Sequence, residues 1–436
     1  MRSYRLSIAK ALEPYRSEIE FACGFVDACY GLARDDGAER ILHYGADAPS
    51  GATTVPAVLF PAGVYADKEG LHPRREKLPD LVKSSAGGLL PPAGQIKQRQ
   101  TFSYDAVGLI FFCLSRIEER DHMARDRYQR FPISAALIAP ENGRLYPWAD
   151  RAARDLATVI SGDDNLAPRT RYEVKFTHDV DMLKGYHRPF EPLRNAVGDV
   201  VKRAGPRTAV ARLRNAYLAG EPWISFRGLM ELSERHGLTS RFYFMGPSDN
   251  LMDSPYAISM KPLLRAVANE VCDRGHIAGF HPGFYTAKDA HEWNRQRDGL
   301  ESVIGVPVRE GRQHVLRYDA VVTPRIWSDA GMALDCTLAY PEVVGFRSGT
   351  CRPHHAYDLV ARCALPLQQI STAVMEFGLF GSKYRNLTRE AALADSRWAV
   401  DICREYGGTF VFLFHTGQMQ RDLWSWLVPT IEYAAS

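Results

Sequence analysis

Thr177-His178-Asp179-Val180-Asp181 sets two carboxylates two residues apart at the end of an apolar-alternating stretch, Tyr172, Val174 and Phe176. Such a stretch reads as a β-strand. Alternate strand side chains share a face, so Thr177, Asp179 and Asp181 point together while His178 and Val180 point away. Like charges on one face at a strand end are costly unless a cation or a shared proton relieves them. The pair suits a metal ligand beside a general base; the plainer alternative is two solvated loop aspartates capping the next helix.

Further polar residues close other apolar runs. His281 ends His276-Ile277-Ala278-Gly279-Phe280-His281; Arg312 and His314 follow Gly311; His415 ends Phe410-Val411-Phe412-Leu413-Phe414-His415 and precedes Thr416-Gly417. One such histidine is as readily a hydrogen-bonded structural residue. Strand ends carrying Asp, His, His and His would meet at one mouth if the strands were parallel. A carboxylate and imidazoles can hold Zn²⁺, or Mn, Co or Ni, with a water position left open. A second carboxylate can take the water's proton and a separate histidine can protonate a leaving group. Those are the parts of metal-assisted amide hydrolysis.

The elements that must position these groups alternate in type after residue 166. Strands are expected at Tyr172–Asp179, Ser240–Met245, His276–His281, Val308–Gln313 and Thr409–His415. Helices are expected between them at Ser225–His236, Met260–Arg274, Ala287–Ile304 and Ala320–Gly331. This rhythm predicts a parallel sheet or a (β/α) barrel. The stretch 188–220 interrupts it with periodic apolar residues and many bases, Arg194, Lys202, Arg203, Arg207, Arg212 and Arg214 among them. It reads as a solvated helical insertion, or as a basic surface for peripheral contact with anionic lipid or a phosphorylated substrate.

Residues 1–165 read as a separate mixed α/β unit, joined by a linker at Ser161-Gly162-Asp163-Asp164-Asn165-Leu166-Ala167-Pro168. Helices are expected at Glu18–Leu32, Asp105–Glu119 and Ala149–Ile160, strands at Arg40–Tyr44 and Val55–Tyr65, and an exposed loop over 69–100. No nucleophile-base set or phosphate-cradling glycine loop is found there, so the chemistry is expected to belong to 166–436 alone. A chain of 436 residues exceeds one ordinary core, which agrees with two domains. The balance of 54 basic against 51 acidic residues gives no argument for nucleic acid as a partner. Eight scattered cysteines without a CxxC pair read as thiols of a reducing compartment. With no apolar leader and no apolar run of membrane-spanning length, the expected location is cytoplasmic.

The motifs Thr177–Asp181, Gly279-Phe280-His281, Gly311-Arg312-Gln313-His314-Val315-Leu316-Arg317 and Phe412-Leu413-Phe414-His415-Thr416-Gly417 occur in an order that resembles the polysaccharide deacetylase superfamily (NodB homology, carbohydrate esterase 4-like). Asp335–Leu338, Gly345–Cys351, Phe111–Glu119 and Arg130–Ser134 resemble a branch with an extra N-terminal domain. The resemblance implies a distorted (β/α) barrel over 166–436 preceded by a smaller mixed α/β domain. It implies a carbohydrate deacetylase, with Asp179 as general base, Asp181 and His281 as metal ligands, His415 as general acid and Arg312 orienting the base. Asp179 and Asp181 are separated by one residue, whereas the commonest form has adjacent aspartates; roles reversed between the two are the alternative.

The family's second metal histidine, four residues after the first, is replaced by Tyr285, and a phenol of pKa about 10 is a poor zinc ligand. Either His314 takes that position, or the site has two protein ligands, or the metal is lost and the chain binds carbohydrate without catalysis. His314 could equally orient the base or touch substrate. Tyr285, Arg312 and Arg347 are the expected substrate-binding residues, with Arg317 near the mouth. The implied substrate is an N-acetyl or other acyl amino sugar of a surface-polysaccharide precursor, nucleotide- or lipid-linked; a deformylase or another amidase is the alternative.

Overall fold

The computed structural model describes residues 2–61, 88–91, 97–98, 101–120, 124–184, 191–201, 205–207, 209–210, 213, 223–416 and 421–436. The expected 69–100 loop lies largely outside the described residues, as do Lys202, Arg203, Arg212 and Arg214 of the basic stretch. The chain is mixed α/β with predominantly parallel sheets.

The first sheet contains β1 (Arg2–Ile8), β2 (Leu32–Arg34), β3 (Ile41–Tyr44), β4 (Thr53–Val55), β5 (Lys97–Gln98) and β6 (Thr101–Phe102), in the order β2-β1-β3-β4-β6-β5. β7 (Arg144–Leu145) pairs instead with β13 (Val344–Gly345). The second sheet contains β8 (Glu173–Val180), β9 (Ser240–Phe244), β10 (Ile277–Phe280), β11 (Glu310–Gly311), β12 (Leu334–Asp335), β14 (His354–Asp358), β15 (Cys363–Gln369), β16 (Val374–Met375) and β17 (Thr409–Leu413). Its order is β14-β15-β12-β11-β10-β9-β8-β17-β16. Only β14 and β15 run antiparallel in it.

Registers align the carboxyl ends that matter. Val180 sits opposite Phe244, Phe244 opposite Phe280, Phe280 opposite Gly311, and Thr177 opposite Leu413. Strands covered on both faces need apolar side chains on both. Accordingly Phe176, Val180, Phe242, Phe244, Phe280, Phe410 and Phe412 are fully buried in one cluster. Gly311 is required where β10 and β11 meet, because a Cβ there would run into the Phe280 carbonyl. His178 is a core residue: Nδ1 bonds the Phe414 carbonyl at 3.0 Å and Nε2 the Ser240 hydroxyl at 3.1 Å. Burial, against the smaller pull of that carbonyl, holds its pKa down to about 3.

Several expected boundaries move for identifiable reasons. The Val55–Tyr65 strand stops at Val55, since Val58 and Leu59 donate their N–H groups to Asp105 Oδ2 at 2.8 and 2.9 Å rather than to a neighbouring strand. Residues 62–65 of that expected strand lie outside the described residues. The helix expected over Asp105–Glu119 runs Ala106–Ser115 and breaks at Arg116, which is left-handed (φ 54°). The helix expected from Ala287 begins at Ala290, where Asp289 caps it by accepting from the Glu292 N–H, after a short 3₁₀ turn over Phe284–Lys288. Strand β1 and the helices Arg389–Tyr406 and Arg421–Ala435 were not anticipated.

Helix Ala106–Ser115 is buried along its whole length in a second cluster that also includes Tyr318, Leu338, Tyr357 and Leu359 from the second half of the chain. Ion pairs line the same seam. Arg347 Nη2 meets Glu119 Oε2 at 2.7 Å, and Arg116 Nε meets Glu119 Oε1 at 2.8 Å. Arg352 faces Asp150 at 3.5 Å, and Arg362 meets Glu18 at 2.7 Å. Arg116 keeps Glu118 if Glu119 is deleted, but Arg347 is left charged, dry and without a carboxylate, so Glu119→Ala is expected to destabilise the full chain by about 3–5 kcal/mol, read from denaturant unfolding. A loss under roughly 1 kcal/mol would mean that water reaches the seam.

Candidate active site

β8, β10, β11 and β17 bring Asp179, Asp181, His281, Arg312, His314 and His415 to one edge of the second sheet. Asp179 is buried, and its Oδ1 accepts from Arg312 Nη1 at 2.6 Å. Arg312 is itself fully buried; it also donates to Thr177 Oγ1 (2.9 Å), Thr372 Oγ1 (2.8 Å) and the Cys336 carbonyl (3.0 Å). With all its donor nitrogens engaged within the protein, Arg312 is a clamp on Asp179 and is not available to substrate as expected. Asp179 Oδ2 stays uncommitted, 3.8 Å from His281 Nε2 and 3.9 Å from His415 Nε2.

The second carboxylate calls for positive charge beside it. His281 Nδ1 donates to the Arg312 carbonyl at 2.6 Å, which directs Nε2 at Asp181 Oδ1 across 3.4 Å. Both atoms are buried and neither has a hydrogen-bond partner. Lone pairs facing each other are relieved by a proton on Nε2 or by a cation between them. Burial alone would depress His281, but Asp179 and Asp181 outweigh it and raise its pKa. Burial alone would raise Asp181, but His281, then His415 and His314, hold it below the ordinary carboxylate range.

His314 supplies a third candidate donor. One ligand atom from each of Asp181, His281 and His314 lies within 4.8 Å of the others. His314 Nδ1 is engaged by Asp253 Oδ1 at 2.8 Å, which leaves Nε2 for a metal. Asp253 in turn accepts from the Phe284 N–H (2.7 Å) and the Ser248 hydroxyl (2.8 Å). Tetrahedral bonds of about 2.1 Å place donors about 3.4 Å apart, the separation already present between Asp181 and His281. Asp181, His281 and His314 are thus a donor set that could hold a divalent ion. The two residues after His314, Val315 (φ 50°) and Leu316 (φ 59°), are left-handed, and for a β-branched valine that is strained.

His415 is held from behind. Its Nδ1 lies 2.6 Å from Glu376 Oε1, which also accepts the His415 backbone N–H at 3.0 Å. Burial pulls the imidazole pKa down, but Glu376, then Asp181 and Asp179, push it up to about 9. The ring packs edge-on against Phe377 with centroids 4.7 Å apart. Asp179, Asp181, His281, His314 and His415 all line one cavity of about 410 Å³. A second cavity of about 880 Å³, lined by Met245, Ser248 and Met252 among others, touches the first at Asp181 and His314.

Two expected substrate contacts lie elsewhere. Tyr285 is 61% exposed on the 3₁₀ turn, beside Phe284 and Arg317, and does not line the cavity. Arg347 is buried in the seam against Glu119, because a dry guanidinium needs a carboxylate and finds one there. Arg317 lies over the Phe284 ring at 4.2 Å and donates to the Phe284 carbonyl. Asp253 and Glu376 were missed. Glu376 is a lone acid between apolar neighbours (Met375-Glu376-Phe377), a weak signal of a buried polar role; Asp253, in Met252-Asp253-Ser254, carries no such signal. Arg127, Tyr128 and Arg130 were missed too, and they line the cavity from the first half of the chain.

Among known families, residues 37–164 match a family of unknown function, DUF7033. No curated protein matches the chain. Among solved structures, the chain is similar to a protein from Mycobacterium smegmatis assigned as a polysaccharide deacetylase: 18% identity, TM-score 0.40, covering 61% of this chain and 85% of the other. It is also similar to a CE4 family pseudoenzyme from Bacillus anthracis (11% identity, TM-score 0.32, 61% and 60% covered). A polysaccharide deacetylase from Bacillus cereus gives 10% identity, a TM-score of 0.27 and coverage of 61% and 86%. Likeness at this level leaves the reading of the site to its own geometry. No helix among the described residues is long and apolar enough to cross a membrane.

Proposed function

We propose that this protein is a metal-dependent hydrolase that removes an acyl group, N-acetyl first among them, from an amino sugar. The observation that carries the reading is the meeting of a clamped carboxylate, a three-donor cation site and a carboxylate-backed imidazolium in one cavity. The parallel order of the second sheet supports a distorted barrel over 166–436, with 1–165 as a unit that adds to its rim.

Asp181, His281 and His314 would hold the ion. When bound, a divalent ion supplies Lewis-acid polarisation of a carbonyl and a water acidified towards neutral pH. Arg312 fixes Asp179 through Oδ1 and keeps Oδ2 turned to the cavity, where it takes the proton of the attacking water. The water oxygen bonds to the amide carbon, the carbon–nitrogen bond breaks, and the amine leaves. His415 enters as the imidazolium and gives its Nε2 proton to the departing nitrogen, while Glu376 holds Nδ1. The products are a free carboxylate and an amino sugar. A cavity of about 410 Å³ has the volume of a small-ligand pocket and suits one or two sugar units.

Elemental analysis of the purified full chain, combined with a screen of acylated amino sugars for released acetate and formate, tests the reading. Roughly one divalent ion per chain and acid release that stops on chelation are expected. A chain that takes up no ion and releases no acid would leave a carbohydrate-binding protein instead.

A further inference from the structure

Part of the cavity wall is built by two loops that the proposed chemistry does not use. Arg127, Tyr128 and Arg130 come from the first half of the chain; Ser382, Lys383 and Tyr384 follow helix Glu376–Phe380. Both loops are held in shape without substrate. Asp126 Oδ1 accepts the N–H groups of Tyr128 and Arg130 at 2.8 and 2.9 Å, and its Oδ2 accepts from Arg130 Nε at 2.7 Å. Arg130 also reaches the carbonyl of the strained Val315 at 3.3 Å. In the second loop the Tyr384 N–H bonds the Gly381 carbonyl at 2.8 Å, and Arg385 is tied to Asp395.

These rigid loops present two exposed cations. The Arg127 guanidinium lies 4.5 Å from the centre of the Tyr128 ring, which Arg130 braces at 5.0 Å. Among the described residues neither Arg127 nor Lys383 has an acidic partner within ion-pair reach. The other cavity cations are matched: Arg130 by Asp126, and the His415 imidazolium by Glu376. Two unmatched cations lining one cavity make it attractive to an anion.

We propose that Arg127 and Lys383 form a subsite for an oxyanion, a phosphate or a carboxylate, carried by the substrate beside its acylated amino group. The guanidinium fork offers paired donors to two oxygens, and the ammonium adds a point charge. The assignment rests on the cavity being the substrate site. It makes the substrate an acidic acyl amino sugar and gives the first half of the chain a part in choosing it.

The test is calorimetric binding to the full chain of neutral N-acetylglucosamine, N-acetylglucosamine 1-phosphate and N-acetylmuramic acid. Wild type is compared with Arg127→Gln, Lys383→Gln, the double variant and Arg127→Lys. At low ionic strength at least one acidic probe should bind wild type roughly tenfold or more tightly than the neutral sugar. The preferred acid distinguishes phosphate from carboxylate. The preference should fall towards unity in the double variant, survive in part in Arg127→Lys, and shrink at about 0.5 M salt. Zn²⁺ titrations of the same proteins separate the two readings. An acidic preference without Zn²⁺ binding sinks the hydrolase and spares the subsite. An equal preference in wild type and double variant, which would arise from an anion seated on the metal, overturns the subsite. So does the absence of any acidic preference, or of binding by all three probes.

Discussion

His415→Ala should lower turnover by about 10²–10⁴-fold and leave metal content unchanged. The imidazole is backed by the buried Glu376 carboxylate on its far nitrogen, and its near nitrogen faces both aspartates at 3.9 and 4.0 Å. A donor must carry its proton when the amine leaves, so the rate should fall as pH rises through the His415 pKa. Burial would put that value below the ordinary histidine range; Glu376 first, then Asp181 and Asp179, lift it to about 9. Glu376→Gln removes the main raising influence and keeps the burial, so the alkaline limb of the kcat profile should move to lower pH. The pairing also has a stability signature. A raised folded-state pKa adds stability that is complete below the unfolded value of about 6.5 and is lost as pH climbs towards about 9. Near wild-type turnover in His415→Ala, or an alkaline limb unmoved by Glu376→Gln, would remove His415 from the reaction.

The second large effect concerns the ion. His314→Ala should lose most of its Zn²⁺ in competition with a chelator, because two donors, Asp181 and His281, hold zinc weakly. Asp253→Asn keeps the shape but weakens the brace on His314 Nδ1, and should cost about 10–100-fold in affinity. Tyr285→Ala should leave affinity unchanged, since that ring lies outside the cavity. Full occupancy in His314→Ala would return the third ligand position to another group.

The strand ends could be found in the sequence because each closes an apolar run, and the change from apolar to Asp, His or Arg marks where a buried strand meets the site. Asp179, His281 and His415 follow that rule, whereas Arg312 follows the short polar strand Glu310–Gly311. Asp253 and Glu376 do not, since their partners His314 and His415 are 61 and 39 residues away and no local period announces them. Arg347 illustrates the same limit. Its charge suggested a mouth, but its partner Glu119 is 228 residues distant. Tyr285 occupied the right place along the chain, yet its 3₁₀ turn carries the ring outward to solvent. The part played by Arg127 and Tyr128 depends on how the two halves dock, which helical and strand periodicity do not encode.

The ion pairs of the seam bear on how the chain can change. Glu119 is shared by Arg116 and Arg347, so a substitution at any one of the three disturbs residues from both halves at once. Asp150 and Arg352 bind the halves in the same manner, as do Glu18 and Arg362. Drift in one half must be answered in the other, and a recombination breakpoint between residues 161 and 168 would part these partners. Grafting the later half onto a foreign first half would require the acids that match Arg347, Arg352 and Arg362 to travel with it.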